Sequence, residues 1–175
     1  MTGKTFLNAV ANGKKDILQI FLDMLSETGT AYCVVGGLAV NAYVEPVVSL
    51  DLDVVVVLKD LGKLVTLGGK KGFQVERHEH SVNFSSSDSD LRIQLQTDPR
   101  YQEFIPRSLR KEVLGYRMNV GRREDVLQGK IWAYSDQTRR KSKRQKDLAD
   151  IMRLVEFYPE LEDLLPSGIR KELKR

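Results

Sequence analysis

The sequence predicts an α/β or α+β domain, with a mixed sheet flanked by helices and further helices towards the C-terminal end. The segment "LDLDVVVVL" (50–58) is rich in β-branched residues, and "AYCVV" (31–35) is wholly apolar, as is typical of an interior strand. Apolar residues recur at helical spacing near both ends of the chain, in 5–27 and 138–158. With 175 residues, 41% of them apolar, the chain is long enough to bury one hydrophobic core.

The N-terminal half begins with helix and continues into the two strands. Gly13 interrupts the pattern of 5–27 and predicts two helices, the second capped by Asp16. Residues 37–43 favour a short helix that ends before Pro46. A further helix is expected over 59–69, where two glycines end it.

The middle of the chain predicts three more strands, in "GFQVERH", "SVNFSS" and "DLRIQLQT". The polar run "SSSDSD" (85–90) is typical of a hairpin turn, and "KEVLGYRMNV" suggests a second hairpin. In "DLRIQLQT" apolar and polar residues alternate, so one face is expected in the core and the other in contact with solvent. Helices are predicted over 122–134 and 138–158. The apolar stripe expected on the last helix is Leu148, Ile151, Met152, Val155 and Tyr158.

The composition of the chain indicates the cellular compartment to expect. No run of about 18 apolar residues predicts a transmembrane helix, and the N-terminal residues lack the basic-then-apolar order of a secretory signal. The single cysteine, Cys33, lies in an apolar run and cannot form an internal disulfide. We therefore expect a cytoplasmic protein without a membrane partner.

The net charge of +4 is distributed unevenly, because six of the eight residues in "RRKSKRQK" (139–146) are Lys or Arg. Such a run is most often a solvated start of a helix. It would also attract RNA through its phosphates, without sequence preference.

Asp51 and Asp53 open the predicted strand 50–58. Residues i and i+2 of a strand point to the same side, about 6.6–7 Å apart. Two unpaired carboxylates at that distance repel each other, and each loses hydration worth several kcal/mol on burial. A hard cation such as Mg²⁺ compensates with oxygen ligands and keeps positions open for phosphate oxygens. The pair thus predicts a metal site, with a solvated strand edge as the alternative.

Gly36 and Gly37 lie at the predicted turn from strand to helix. Missing side chains let a ligand approach the backbone, and the N–H groups of a following helix favour an anion. A phosphate cradle followed by a pair of metal-binding carboxylates suits attack on the α-phosphate of a nucleotide. A tight turn without a ligand is the alternative for the glycines taken alone.

Together these residues form a recognisable signature. The stretch "VVGGLAVNAY…EP…SLDLDVVV" resembles that of the nucleotidyltransferase fold, the DNA polymerase β-like superfamily. Within it, the chain looks most like the small bacterial members, the AbiEii-type toxin-like group and the minimal nucleotidyltransferases. The pattern is hydrophobic–Gly–Gly, a short helix, then Ser/Thr-x-Asp-x-Asp, and Ser49 occupies the hydroxyl position.

The C-terminal stretch "LQGKIWAYSDQTRRKSKRQKDLADIMRLV" resembles the closing helices of the same group. There a lysine precedes a basic turn, which Lys-Asp and a second Asp follow; the matching residues are Lys130, Lys146-Asp147 and Asp150. The resemblance spans residues 31 to about 157. It implies a single nucleotidyltransferase-like domain over 1–175, with a core at about 5–120 and a helical part at about 121–175.

The resemblance also implies roles for individual residues. Asp51 and Asp53 would bind Mg²⁺ or Mn²⁺ and belong to the catalytic set. An NTP would be the nucleotide partner, and its contacts would come from Gly36, Gly37, Ser49 and Lys130.

The chain departs from the pattern of the group at two positions. The third catalytic carboxylate usually stands in a hydrophobic–Asp–hydrophobic triplet, and the matching triplet here has Gln94 at its centre. Glutamine offers a carbonyl oxygen to a cation but no negative charge, and it is a poor base. Many relatives also carry a basic residue near the position of Val47, and this chain has none there.

Two functions follow from this reading. The first is Mg²⁺-dependent transfer of a nucleoside monophosphate from an NTP to an acceptor, which could be tRNA, a protein or a small molecule such as an antibiotic. The second is a catalytically degenerate member that binds nucleotide, RNA or a partner protein. A toxin–antitoxin pairing with a cognate antitoxin, or a homo-oligomer, belongs to the same set of expectations.

Overall fold

Seven strands form one mixed sheet in the computed structural model, which describes residues 1–175. The strands are β1 Tyr32–Val35, β2 Asp51–Val56, β3 Gln74–Arg77, β4 Ser81–Ser86, β5 Ser89–Gln96, β6 Leu109–Val113 and β7 Tyr116–Val120. The helices are α1 Gly3–Val10, α2 Ile17–Thr28, α3 Gly36–Val40, α4 Leu61–Lys70, α5 Arg123–Ser135, α6 Lys141–Phe157 and α7 Ser167–Leu173. Three short 3₁₀ segments lie at Leu58–Asp60, Pro99–Arg107 and Pro159–Leu164. The predicted fold class, a mixed sheet flanked by helices, is confirmed.

The strands are ordered β3-β4-β5-β2-β1-β7-β6. The pairs β2–β5 and β1–β7 are parallel, and the other four pairs are antiparallel. This order puts β2, which carries Asp51 and Asp53, in the middle of the sheet. Its neighbours are β1, which leads into the glycine turn, and β5, which contains Gln94.

The break in the N-terminal helical pattern is present as predicted. Helix α1 ends at Val10, and α2 begins after Asp16, whose side chain accepts a hydrogen bond from the Gln19 backbone N–H at 3.1 Å. Helix α2 ends at Gly29, which adopts the left-handed conformation with φ +63°. The buried face of α2 packs on the sheet and belongs to the main hydrophobic core.

The two faces of the sheet differ in what covers them. On β2, Leu52, Val54 and Val56 point into the main core beneath α2 and α4. Val55 points to the other face and joins a smaller cluster with Cys33, Val35, Tyr101 and Phe104. Asp53 lies next to Val55 on this face of β2, so the two aspartates lie at the edge of the smaller hydrophobic cluster. Burial raises the pKa of the Cys33 thiol to about 12, as expected for a cysteine that packs as a small hydrophobe.

The two predicted hairpins are formed. The first has a tighter turn than expected, because β4 and β5 reach to Ser86 and Ser89 and leave only two residues between them. The second turns at Leu114-Gly115, where both residues have positive φ (+51° and +84°), as a type I′ turn requires.

One detail of the predicted helical stripe is wrong. Met152 on α6 is 38% exposed, whereas Leu154 is fully buried. The helix is rotated so that Asp147 and Asp150 face Lys130 of α5, and this rotation brings Ile151 and Leu154 into the core. None of the helices combines the length and the apolar character needed to cross a bilayer.

Candidate functional site

Asp51 and Asp53 lie on one face of β2 at the start of the strand, as their spacing predicted. Both line a cleft of about 90 Å³ between the sheet and helices α5 and α6. Residues from both halves of the chain complete its wall: Val35, Gly36, Gln94, Gln96, Tyr101, Gly129, Lys130, Ala133, Arg139, Lys143 and Asp147. Five of the seven residues predicted for the site, Gly36, Asp51, Asp53, Gln94 and Lys130, are therefore together in one cleft.

Gly36 follows β1 directly, and its lack of a side chain matters for the site. Its φ is +71°, in the left-handed region that favours glycine. A Cβ atom built at this position would overlap the carboxylate of Asp53. Gly36 is thus the residue that leaves room for Asp53, and the backbone next to the carboxylate stays open to a ligand.

Gly37 and Ser49, also predicted to contact the nucleotide, lie beside the cleft rather than in its wall. The Ser49 hydroxyl is 3.2 Å from the carbonyl oxygen of Asp51 and accepts from the Asp51 N–H at 3.3 Å. A Cβ at Gly37 would come within 3.4 Å of the same hydroxyl oxygen. Ser49 therefore fixes the backbone of Asp51.

Gln94 lies directly opposite Asp53 in the parallel pair β2–β5, and Arg92 lies opposite Asp51. Residues paired in this way point to the same face about 4.8 Å apart. Arg92 Nε donates a hydrogen bond to Asp51 Oδ1 at 2.8 Å. Both side chains of this ion pair are exposed, at 64% and 38%. The arginine neutralises Asp51 but is free to move away, because exposed ion pairs contribute little stability.

Asp53 forms no salt bridge, and its pKa is raised to about 6. Burial is the main cause; Lys130 lowers the pKa, the neighbouring Asp51 raises it, and Arg139 and Lys143 lower it. A cation bound between the two aspartates would offset both unfavourable contributions.

Lys130 is held in a buried network of charges between α5 and α6. Its Nζ lies 3.1 Å from Asp147 Oδ1 and 2.8 Å from Asp150 Oδ2. Burial lowers the pKa of Lys130, but the two carboxylates outweigh that effect and the pKa is raised overall. Arg139 Nε donates to Asp147 at 2.7 Å, and Arg153 NH1 donates to Asp150 at 2.7 Å.

The network also reaches the loop before β2. Arg153 donates to the Glu45 carbonyl oxygen at 2.5 Å and to Asn41 Oδ1 at 3.3 Å. Asn41 in turn holds the backbone of Val47 through hydrogen bonds of 2.7 and 3.0 Å. Helix α6 thereby fixes the segment that leads into Asp51.

Arg139 and Lys143 belong to the cleft but were predicted only as part of the basic run. Arg139 is engaged by Asp147. Lys143 lines the cleft and forms no salt bridge, so its ammonium group is available to a ligand. The signal that could have separated Lys143 from the rest of the run is helical periodicity, since Lys143 and Asp147 are i and i+4 on one face of α6. Arg139 precedes α6, and no local pattern singles it out.

The side chains present are of the kind that a hard divalent cation prefers. Asp51 and Asp53 offer carboxylate oxygens, and Gln94 offers an amide oxygen on the same face. No group of three or more His, Cys, Asp and Glu side chains is arranged to hold a metal ion. The donor set fits a cation that takes its remaining oxygens from a ligand such as a nucleotide phosphate.

No protein-family model matches the sequence, and no curated protein matches it. Solved structures do resemble the fold. A complex of ANT(2")-Ia with adenylyl-2"-tobramycin superposes with a TM-score of 0.66 at 14% identity, covering 90% of this chain and 95% of that one. The lincosamide antibiotic adenylyltransferase LnuA, bound to lincomycin, gives 0.57 at 10% identity, covering 81% and 98%.

A third similar structure is an antigenic nucleotidyltransferase-like protein from Paracoccidioides brasiliensis. It gives a TM-score of 0.53 at 16% identity and covers 86% of this chain and 75% of that chain. At these identities the likeness concerns the fold. The chain has the nucleotidyltransferase fold.

Proposed function

We propose that this chain, a protein with the nucleotidyltransferase fold, transfers a nucleoside monophosphate from an NTP to a hydroxyl-bearing acceptor. The observation that carries the proposal is the placement of Asp51 and Asp53 on one face of β2, with Gly36 leaving room for Asp53, in a cleft lined by basic side chains. In this reaction the acceptor oxygen bonds to the α-phosphorus, and the bond from the α-phosphorus to the bridging oxygen breaks. Pyrophosphate leaves with the electron pair, and the hydroxyl proton passes to water.

Asp51, Asp53 and the amide oxygen of Gln94 would hold Mg²⁺ or Mn²⁺ together with phosphate oxygens. When bound, the cation neutralises charge on the phosphates and on the attacking and leaving oxygens. Arg92 leaves Asp51 in that state, which its exposure allows. Gln94 leaves the site with one fewer negative charge than three carboxylates would supply, so we propose that it binds the cation less tightly.

We propose that the phosphates lie along the wall formed by Gly36, Lys143 and Arg139, with Gly37 beside it. Lys143 supplies a free positive charge. Lys130 is held by two carboxylates, so its role here is to position α6 and to contribute a fixed field near Asp53. Ser49 acts through the backbone of Asp51.

A second candidate function is nucleotide binding without transfer. It is favoured by one observation: the position opposite Asp53 holds a neutral glutamine, and the position opposite Asp51 holds an arginine that neutralises it. A degenerate member of this kind would bind NTP and release it unchanged.

The proposal can be made more specific by naming the class of molecule that accepts the nucleoside monophosphate. Two similar structures carry names of enzymes that act on antibiotics, which are small molecules, and we favour a small-molecule acceptor here. A tRNA or protein acceptor, an AbiEii-type role with a cognate antitoxin, and a homo-oligomer are the alternatives that the same fold would accommodate.

The test has two separate readouts. Calorimetry measures binding of each of the four NTPs with Mg²⁺ or Mn²⁺, and release of labelled pyrophosphate from γ-labelled NTP measures transfer. We expect metal-dependent binding that Asp51→Asn and Asp53→Asn each abolish while the circular dichroism spectrum stays unchanged. Equal NTP affinity in the wild type and the double variant would overturn the proposal. Binding without pyrophosphate release in the presence of a broad acceptor panel would favour the degenerate form.

Asp60→Asn serves as the control. Asp60 is a buried aspartate that lies outside the cleft and pairs with Lys63 at 3.1 Å. Its replacement should leave NTP binding at the wild-type value.

A further inference from the structure

Strand β6 is one edge of the sheet, and its outer side has no neighbouring strand. The turn at Leu114-Gly115 joins Val113 and Tyr116, which lie opposite each other in the pair β6–β7. Residues next to a two-residue turn exchange backbone hydrogen bonds, and along an antiparallel pair every second residue does so. The residues that alternate with these on β6, Arg110 and Glu112, therefore direct their N–H and C=O groups away from β7. No other part of the chain bonds to these backbone groups.

The side chains at this edge carry charges that the chain itself does not balance. Arg110 and Glu112 are exposed, and neither forms a salt bridge. Arg110 NH1 donates a long hydrogen bond of 3.4 Å to Asn119 Oδ1, and Glu112 lies opposite Arg117 on β7. One positive and one negative charge are thus available, two residues apart on the same face of the strand.

A second copy of β6 fits this edge in one register. When two copies run antiparallel about a two-fold axis through Lys111, Arg110 of each copy lies opposite Glu112 of the other. Because both residues direct backbone groups outward, the two pairs form four N–H···O=C hydrogen bonds. Opposite charges that face each other across strands favour this register. With the axis through Arg110 or through Glu112, like charges would face each other instead.

The same register covers an exposed apolar side chain. Leu109 lies on the other face of β6 and is 48% exposed. In the two-fold arrangement it lies opposite Val113 of the other copy, which is a buried member of the main core. The pairing therefore extends the apolar face of each sheet across the junction.

Lys111 lies on the axis and opposite its own copy, where two like charges would repel. Its Nζ, however, lies over the ring of Tyr43, 4.8 Å from the centroid. The Tyr43 hydroxyl donates to the Gly121 carbonyl oxygen at 2.7 Å, just after the end of β7, so the ring lies inward of β6. The two ammonium groups are therefore directed away from the axis and from each other.

The opposite edge of the sheet, strand β3, lacks this complementarity. The His78 N–H donates to the Ser81 carbonyl oxygen of β4 at 2.8 Å, so the residues of β3 that direct backbone groups outward are Val75 and Arg77. Two copies of β3 would place valine opposite arginine, without a pair of opposite charges. The edge that fits a second copy is β6.

We propose that two copies of this chain associate through β6, antiparallel and centred on Lys111, and join their seven-stranded sheets into one. Asp53 lies on the face of the sheet that carries Arg110 and Glu112, and a two-fold axis perpendicular to the sheet keeps the faces together. Both clefts therefore open on one side, with the two β2 strands about 34 Å apart at a strand spacing of about 4.8 Å. Because the paired strands are short, the interface is small, and we expect a dissociation constant on the order of 10–100 µM.

The experiment measures association of the full chain and locates the paired edge. Sedimentation equilibrium from about 5 to about 500 µM should show a shift from monomer to dimer. Amide hydrogen exchange at both ends of this range should show slower exchange of the Arg110 and Glu112 N–H groups at the higher concentration. The N–H groups of Val75 and Arg77, on the opposite edge, should exchange at the same rate in both samples.

Charge variants test the register. Arg110→Glu and Glu112→Arg each place like charges opposite each other, and each should weaken association at least about tenfold. An equimolar mixture of these two variants brings glutamate opposite arginine at both positions, so we expect it to restore association as a heterodimer. Arg77→Glu changes an exposed arginine on the opposite edge strand and is the matched control, which should associate like the wild type.

Several outcomes would overturn the inference. A chain that stays monomeric at the highest concentration would do so, as would a dimer that neither charge variant weakens, or a mixture that does not restore association. Dimerisation of Lys111→Thr while the wild type stays monomeric would show that this lysine keeps the edge unpaired, and would equally overturn it. None of these measurements uses a nucleotide or a metal ion, so their result is independent of the proposed function.

Discussion

Gln94 lies opposite Asp53 across the parallel pair at the centre of the sheet, so a single residue of β5 sets the charge next to this aspartate. Neighbouring strands are about 4.8 Å apart, which brings the ends of these two side chains within reach of a common ligand. We therefore expect the identity of this residue to affect both cation binding and stability.

Replacing Gln94 by Asp should strengthen Mn²⁺ binding and lower the free energy of unfolding in metal-free buffer. The added carboxylate provides a negatively charged ligand, and without metal it repels its two neighbours by an amount on the order of 1 kcal/mol. Calorimetry with Mn²⁺ and urea unfolding in EDTA measure the two effects. Gln74→Asp, on the same face but two strands away, is the control. Unchanged Mn²⁺ affinity and stability would remove Gln94 from the site.

Asp53 should make stability depend on pH. Its folded pKa of about 6 exceeds the ordinary value of 3.8, so the native state binds the proton more tightly than the unfolded chain does. The contribution of Asp53 to the free energy of unfolding is therefore lost as pH rises from about 4 to about 6. In EDTA at pH 8, Asp53→Asn should be more stable than wild type by up to about 3 kcal/mol, and near pH 4 the two should agree.

Urea unfolding of both proteins across this pH range measures the difference between their free energies of unfolding. The contributions of the other carboxylates are the same in both proteins and cancel in this difference. Saturating Mg²⁺ should raise the stability of the wild type at pH 8 and leave that of the variant unchanged. Parallel pH profiles for the two proteins would show that Asp53 carries no such cost.

Lys130 and Lys143 should respond differently to the same substitution. Lys130→Met leaves Asp147 and Asp150 buried with fewer partners, and we expect a loss of about 3–5 kcal/mol in the free energy of unfolding. Lys143→Met removes an unpaired charge and should change stability by less than about 0.5 kcal/mol while weakening NTP binding. Urea unfolding and calorimetry on both variants test this. A stable Lys130→Met protein would contradict the role assigned to the network.

The outer part of the basic run should not be needed for transfer. Arg140, Lys141 and Lys146 are exposed and form no salt bridge, so they are the residues that an RNA acceptor would use. With a small-molecule acceptor, changing all three to Gln should leave transfer and NTP binding unaltered. Filter binding of bulk tRNA over a salt series is the measurement. A log–log slope that becomes shallower by about two or three units in the triple variant would instead identify RNA as the acceptor.

Sequence patterns predicted the seven strands and the six helices α1–α6, but not α7 or the 3₁₀ segment Pro99–Arg107. The period-2 alternation around Gln94 predicted its polar face, and the spacing of Asp51 and Asp53 predicted their common orientation, because both depend only on local strand geometry. Gly36 was predicted through the same local reasoning. Its contact with the Asp53 carboxylate follows from the antiparallel pairing of β1 and β2, in which Val35 lies opposite Asp53.

The remainder of the site depends on tertiary contacts that no local pattern contains. The engagement of Lys130 by Asp147 and Asp150 requires the rotation of α6 against α5. That rotation also turns Lys143 into the cleft and leaves Met152 exposed. The polar row that begins at Asp53 and continues through Gln94, Asn83 and Glu76 likewise depends on the register of four paired strands.

The overlap between a Cβ at Gly36 and the Asp53 carboxylate constrains the order in which the chain can change by mutation. While Asp53 is present, any side chain at position 36 meets a steric clash in addition to the cost of a positive φ, which is about 1–2 kcal/mol for other residues. If Asp53 is shortened to alanine, the overlap with the carboxylate is removed, while a tight contact with the Cβ of residue 53 at 3.1 Å and the cost of the positive φ remain. Loss of the carboxylate therefore makes replacement of the glycine less costly, whereas replacement of the glycine first meets the full clash. A lineage that lost both residues would record this order in its sequences, with changes at position 53 preceding those at position 36.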